Sequence, residues 1–232
     1  MKMLKKITGM LLIGTVALTV GACGDQGEKA QTPASAISGQ EDGAETSAAA
    51  QQSSSYEPLY RTSVFLGDSI TEGLSYHDVL EKDNVLAGAG KTAEFALRDI
   101  DELARRKPDH VFIQLGSDDI LWPADDPQTY SLAHYARLID SVRAKLTTAK
   151  ITLLSVTPVT SEAERTEPRY RKIGDYNEGL KALAAKEQVG FVDLTPLVSA
   201  HSDLYDTDGI HFQAAFYPIL LDFLNDQSDV TR

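Results

Sequence analysis

The stretch Val64-Phe-Leu-Gly-Asp-Ser-Ile-Thr-Glu72 opens as an apolar run and breaks into Gly67-Asp-Ser-Ile70. A short apolar run bounded by a turn signal reads as a strand buried on both faces, and Ser69 stands just past its end. Far along the chain, Asp208-Gly-Ile-His211 precedes a last apolar helix. The order is a hydroxyl, a carboxylate and an imidazole. A serine is a weak nucleophile near neutral pH, so it needs an imidazole to take its proton and a third group to hold that imidazole's tautomer. Ser69, His211 and Asp208 are of the right types, and Asp208, three residues before His211, can reach it within one tight turn.

The first apolar run covers Ser63 to Leu66, and others of strand length recur at Asn84 to Leu86, His110 to Leu115, Ile151 to Val156 and Gly190 to Val192. Segments with helical spacing follow them: Ala93 to Arg105, Tyr130 to Leu146, Tyr170 to Glu187 and Ala214 to Leu224. Continuous apolar strands alternating with amphipathic helices indicate an α/β domain, a three-layer doubly wound parallel sheet. Ligands of such sheets bind off the carboxyl ends of the strands. Ser69 follows the first strand, Gly90 the second, Gly116 to Asp119 the third, and Asp208 and His211 the loop after the fifth, so all the candidates share one edge.

Gly67-Asp-Ser-Ile70, a glycine after the second strand, Gly116-Ser-Asp-Asp119 and Asp208-Gly-Ile-His211 resemble, in order and separation, the sequence blocks of the SGNH, or GDSL, hydrolases. The resemblance runs from about Thr62 to Leu224 and is carried by the pairing of GDSI with a DxxH before the last helix. The α/β-hydrolase elbow G-x-S-x-G is not matched, because Ile70 and Thr71 follow Ser69. The resemblance implies a flavodoxin-like SGNH fold and a carboxylic ester hydrolase working through an acyl-enzyme, with no metal and no cofactor. By it, Ser69 attacks the ester carbonyl, His211 moves the proton and Asp208 orients His211. It implies an oxyanion hole made of the Ser69 N–H, a glycine N–H best mapped to Gly90, with Gly88 the other register, and the side chain at Asp118. Asp68 would shape the turn that presents Ser69. Asp68, Asp119 and Trp122 are the pocket candidates.

At Asp118 the chain departs from the family, which carries G-x-N-D where Gly116-Ser-Asp-Asp119 stands. An ionised acid cannot donate a hydrogen bond and repels a developing oxyanion. Losing one such donor typically costs about 100- to 1000-fold in turnover. Three readings are open: a buried, protonated Asp118 that donates as a carboxylic acid; a hole running on two backbone donors; or a cleft that binds without hydrolysing.

Other residues have plainer readings. Ala87-Gly-Ala-Gly-Lys-Thr92 ends like a phosphate-binding loop, but Val85 occupies the place of the first glycine. His201 could compete as base, yet Val198 stands three residues before it where an acid is needed. His77, His110 and His134 lack metal-ligand spacing, and the carboxylates Asp118, Asp119, Asp125 and Asp126 match no cation loop. Asp206 reads as a solvated turn residue.

The chain has 232 residues and one cysteine, Cys23, directly after Leu18-Thr-Val-Gly-Ala22. Lys2, Lys5 and Lys6 precede an apolar run from Ile7 to Val20, shorter than the roughly 20 residues of a spanning helix. Residues 1–22 therefore read as a signal peptide, and Val20-Gly-Ala-Cys23 resembles a lipobox, which implies a diacylglyceryl anchor on Cys23 and an extracytoplasmic, membrane-attached bacterial lipoprotein. From Gly24 to Ser55 the composition is dominated by Ala, Ser, Gln, Gly, Thr and Glu, with almost no large apolar residue to bury a core, so residues 23–55 read as a lipidated disordered tether spanning about 30 Å on average. Residues 56–232 form the single remaining domain.

The net charge of -12 becomes -15 once the three signal lysines are removed. That balance argues against nucleic acid or an anionic lipid surface as partner and for neutral sugars, esters or cationic groups. The reading that results is a short-chain acyl esterase, acetyl foremost, acting on cell-envelope or environmental polysaccharides. A lysophospholipase-like acylhydrolase is the alternative within the family, and a glycan-binding lipoprotein the alternative outside catalysis. Cys23→Ser is expected to move the full-length protein from the detergent-rich to the aqueous phase in a detergent partition; unchanged partition would remove the anchor.

Overall fold

The computed structural model describes residues 56–230. The expected signal peptide, Cys23 and the tether lie outside the described residues. Five parallel strands, β1 (Ser63–Gly67), β2 (Val85–Ala87), β3 (His110–Gln114), β4 (Lys150–Leu154) and β5 (Gly190–Val192), form one sheet in the order β2-β1-β3-β4-β5. The connections carry α1 (Ser69–Tyr76), α2 (Ala93–Ala96), α3 (Ile100–Arg106), α4 (Pro127–Lys145), α5 (Ser161–Thr166), α6 (Ile173–Glu187) and α7 (Thr195–Ala200), and α8 (Phe216–Val230) follows the last loop. This is the three-layer doubly wound architecture expected from the strand and helix alternation.

Because successive strand residues point to opposite faces, Val64, Leu66, Val111, Ile113, Ile151 and Leu153 pack on one side with residues of α3, α4 and α6. Phe65, Phe112 and Leu154 pack on the other with α1, α7 and α8. Phe65 and Phe112 stack across β1 and β3 with centroids 4.7 Å apart. Fully burying a side chain of this size contributes about 1.5–3 kcal/mol relative to exposure, so both faces of β1 and β3 hold the sheet.

The helices differ from their sequence reading in instructive ways. The stripe Ala93, Ala96, Ile100 and Leu103 is buried as expected of one helix, but residues 97–99 tighten into a 3-10 turn between α2 and α3. That turn keeps the stripe on the core while letting Ala93 N–H bond the Asp119 carboxylate. The helix expected from Tyr130 starts at Pro127, because Asp126 caps it by accepting from the Thr129 N–H at 3.1 Å. The segment from Tyr170 begins as a 3-10 turn, Pro168–Lys172, before α6. The short α1, α5 and α7 carry no apolar period in the sequence, since one or two turns offer too few positions for one.

Gly116 follows β3 with φ +137, and a Cβ there would overlap Val156 and crowd Tyr176. Only glycine lets the chain turn so closely against the β4 and α6 side of the core. Gly116→Ala combines backbone strain with overpacking and is expected to lower the unfolding free energy by roughly 2–5 kcal/mol in urea titration; a change under about 0.5 kcal/mol would show that the loop relaxes freely.

Candidate active site

The site is built first from the end of β1. Asp68 caps α1: one carboxylate oxygen accepts from the Ile70 N–H at 3.1 Å, which makes Ser69 the first residue of the helix. The first N–H groups of a helix have no intrahelical acceptor, so the Ser69 N–H is of the kind that can meet a ligand. A Cβ on Gly67 would overlap the Thr71 side chain and lie 2.6 Å from the Gln114 carbonyl, so the strand can turn into the helix only through glycine.

The loop after α7 supplies the second part. Tyr205 and Phe212 pair as an antiparallel bridge, and the Asp206 N–H donates to the His211 carbonyl at 2.8 Å. Thr160 N–H to Gly209 carbonyl, 2.9 Å, and Tyr205 hydroxyl to Pro158 carbonyl, 2.7 Å, tie this loop to the segment after β4. Held there, His211 brings Nε2 to 2.8 Å from Ser69 Oγ, and its Nδ1 lies 2.5 Å from an Asp208 oxygen. The other Asp208 oxygen accepts from the backbone N–H groups of Ile210 and His211, each at 2.9 Å. Although burial works the other way, the bonds from the His211 side chain and these N–H groups hold the Asp208 carboxyl below its usual range. A carboxylate on Nδ1 fixes the proton there and leaves Nε2 as the acceptor facing Ser69.

The loop after β3 lies beside them. Burial pushes the Asp118 carboxyl up, and nearby His211 and the Gly90 backbone N–H bonded to it pull it part of the way back. Gly90 and Asp118, both expected at an oxyanion hole, lie near enough for the Gly90 N–H to act on the Asp118 carboxyl. Asp68 and Asp119, two of the three pocket candidates, are instead buried beneath the site. Asp119 accepts from the Ala93 N–H at 3.1 Å and from the Ser131 hydroxyl at 2.5 Å, and Ser131 meets the Tyr176 hydroxyl at 2.6 Å. Burial, opposed by the Ser131 and Ala93 bonds, raises the Asp119 pKa to about 6. Trp122 packs edge-on against Phe95 at 5.4 Å and stacks with Tyr130 at 6.4 Å.

The plainer residues are used elsewhere. Lys91 pairs with Asp99 at 2.7 Å and donates to the Leu86 carbonyl, while Thr92 caps α2, so the glycine-lysine-threonine run serves packing. It is His211 rather than His201 that meets Ser69; His201 ends α7. His77 packs on Tyr217, His110 bonds Thr152, and His134 bonds the Tyr130 carbonyl. Among the described residues no group of three or more His, Cys, Asp or Glu is arranged to hold a metal ion.

Three contributors had no signal in the sequence. The Ser117 hydroxyl donates to the free oxygen of Asp68, tying the loops after β1 and β3 together. Asn177 of α6 grips both backbone groups of Val156, 2.8 and 2.9 Å, and so sets the loop after β4. Tyr170 is buried within electrostatic reach of Asp118, Asp68 and Asp208. Each acts across a long sequence separation that periodicity does not register.

The model of the GDSL-like lipase/acylhydrolase family matches residues 65–219. No curated protein matches the chain. Among solved structures it is similar to a GDSL-like lipase from Bacteroides thetaiotaomicron, with TM-score 0.60, 18% identity, and 82% of this chain and 98% of that one covered. It is similar also to a lipase/acylhydrolase from Enterococcus faecalis, with TM-score 0.57, 17% identity, and coverage of 71% and 93%. A catalytic mutant of an acetylxylan esterase from Geobacillus stearothermophilus gives TM-score 0.53, 19% identity, and coverage of 70% and 92%. At these identities the likeness is one of fold.

Burial raises the Asp68 pKa to about 7, against the bonds from Ser117 and Ile70 and with the charges of Asp118 and Asp119 adding to it. A carboxyl held above its unfolded value binds its proton more tightly in the folded state, so its contribution to stability is full below about pH 4 and is lost as pH rises through about 7. Asp68→Asn, which keeps an acceptor for the Ile70 N–H, is expected to flatten the fall in urea midpoint between pH 4 and 7. A parallel fall in the variant would assign it to other groups.

Proposed function

The chain belongs to the GDSL-like lipase/acylhydrolase family, a carboxylic ester hydrolase, and on that basis we propose that it is a serine esterase that removes short acyl groups, acetyl among them, from cell-envelope or environmental polysaccharides. The observation that carries the reading is the line of contacts from Ser69 Oγ to His211 Nε2 and from His211 Nδ1 to Asp208. In this mechanism His211 takes the Ser69 proton as Oγ adds to the carbonyl, then gives it to the departing alkoxide. Asp208 holds the tautomer and balances the imidazolium. Water, activated by the same imidazole, then releases the acid from Ser69.

The oxyanion is met by the backbone N–H groups of Ser69 and Gly90. Asp118 joins them as a donor only while protonated, a state that its burial favours. When ionised it cannot donate, and its negative charge opposes the developing oxyanion. The acetylxylan esterase named above supports short acyl groups on a polysaccharide as the substrate class. The anchor implied at Cys23 would hold the enzyme at the outer face of a membrane.

With the full-length protein in detergent and p-nitrophenyl acetate as substrate, Ser69→Ala is expected to lose at least about 1000-fold in turnover and Asp208→Asn about 100- to 10,000-fold. Hydrolysis equal in parent and Ser69→Ala would end the esterase reading. Preference for long-chain over acetyl esters would redirect it to a lipase-like acylhydrolase. On this neutral ester the rate should fall as Asp118 ionises, and Asp118→Asn should remove the falling limb and raise turnover; a large loss in that variant would give the acid a role of its own.

A further inference from the structure

The segment between β4 and α5, residues 155–160, carries the chain out of the sheet. The Ser155 N–H still bonds β5, at the Val192 carbonyl, 3.0 Å. Val156, next along and buried, has both of its backbone groups met by a side chain of α6. Asn177 Oδ1 accepts from the Val156 N–H at 2.8 Å, and Asn177 Nδ2 donates to the Val156 carbonyl at 2.9 Å. A side-chain amide, with a donor and an acceptor side by side, stands in for a strand at one residue, and a buried backbone group left unpaired would be costly. Asparagine is a poor helix former, so its place in the middle of α6 is explained by what it bonds and not by propensity.

What Asn177 holds at Val156 reaches the general base. Pro158 stiffens the segment by fixing its own φ and keeping Thr157 extended, so a position set at Val156 is passed along the chain. The Pro158 carbonyl accepts from the Tyr205 hydroxyl at 2.7 Å, and the Thr160 N–H donates to the Gly209 carbonyl at 2.9 Å. The second approach is close, since a Cβ on Gly209 would lie 2.0 Å from Thr160 Oγ1. Buried Phe212 anchors the His211 loop in the core on one side, and these two bonds hold the other, where Asp208 is exposed. Resting on the esterase reading, we propose that Asn177 is a positioning residue of the reaction, setting through residues 156–160 the distance at which His211 Nε2 meets Ser69 Oγ. It acts on that segment and not on the reacting atoms. The serine and imidazole stand 2.8 Å apart, and a shift of about 1 Å caused by a remote change can cost about 100-fold in rate.

The test measures kcat and KM on p-nitrophenyl acetate with the full-length protein, Ser69→Ala serving as the blank. Asn177→Ala is expected to lower kcat about 10- to 100-fold and to leave KM within about threefold. The loss should vanish where there is no base to position. In a His211→Ala background, adding Asn177→Ala should change the residual rate by less than about twofold. Tyr205→Phe removes the bond to Pro158 and keeps the ring stack on Phe212, so it should lower kcat several-fold and add little to Asn177→Ala. The same cycle run with Tyr205→Phe carries the test if circular dichroism shows Asn177→Ala unfolded. A loss of equal size with and without His211, or no loss of kcat in either variant, overturns the inference and leaves the esterase standing. Parent hydrolysis no faster than that of Ser69→Ala overturns both.

Discussion

The site depends on the pairing of β1 with β3, which sets Gly67 opposite Gln114 at the carboxyl ends of the two central strands. With that register, the two loops that follow have no choice but to bond each other. The Asp68 N–H donates to the Gln114 carbonyl at 3.3 Å, the Thr71 hydroxyl to the Gln114 side chain at 3.2 Å, and the Ser117 hydroxyl to Asp68. The stacked Phe65 and Phe112 below hold the same register from the core side. Glycine at 67 and at 116 is what allows both turns to be sharp enough to meet. Ser69 and Asp118 are thereby carried on rigid strand ends, and only His211 has to arrive from far along the chain.

Three carboxylates gather within this junction, and they are not equivalent. Asp119 is enclosed by donors from α2 and α4, and Asp68 by α1 and Ser117, so both work as struts whose cost of burial is offset by hydrogen bonds. Asp118 is only half-buried, and burial pushes its carboxyl up. The proposed dependence of turnover on Asp118 follows from this asymmetry, since the ionised acid is unfavourable beside a developing oxyanion.

Much of the fold was legible in the residues themselves, because all five strands are apolar runs and the long helices keep an apolar stripe. What escaped was local or distant. The helix that begins at Pro127 is signalled by the cap Asp126 and the proline after it, which lie outside the apolar period that marks the rest of the helix. Asp119 looked like a pocket residue from its place in the third block, and burial reversed that because its two oxygens find partners on helices that sequence spacing does not bring near.

The sequence by itself determined the class of sheet, the edge on which the chemistry-bearing residues lie and the pairing of Asp208 with His211, because strand period, strand-to-loop order and a three-residue spacing are all local properties. Only the tertiary structure decided which imidazole meets Ser69, which acids are struts and which one stays half-exposed. Those outcomes depend on distances between residues as far apart as Ser69 and His211 and on how completely each charge leaves water. Neither quantity exists until the chain has closed on itself.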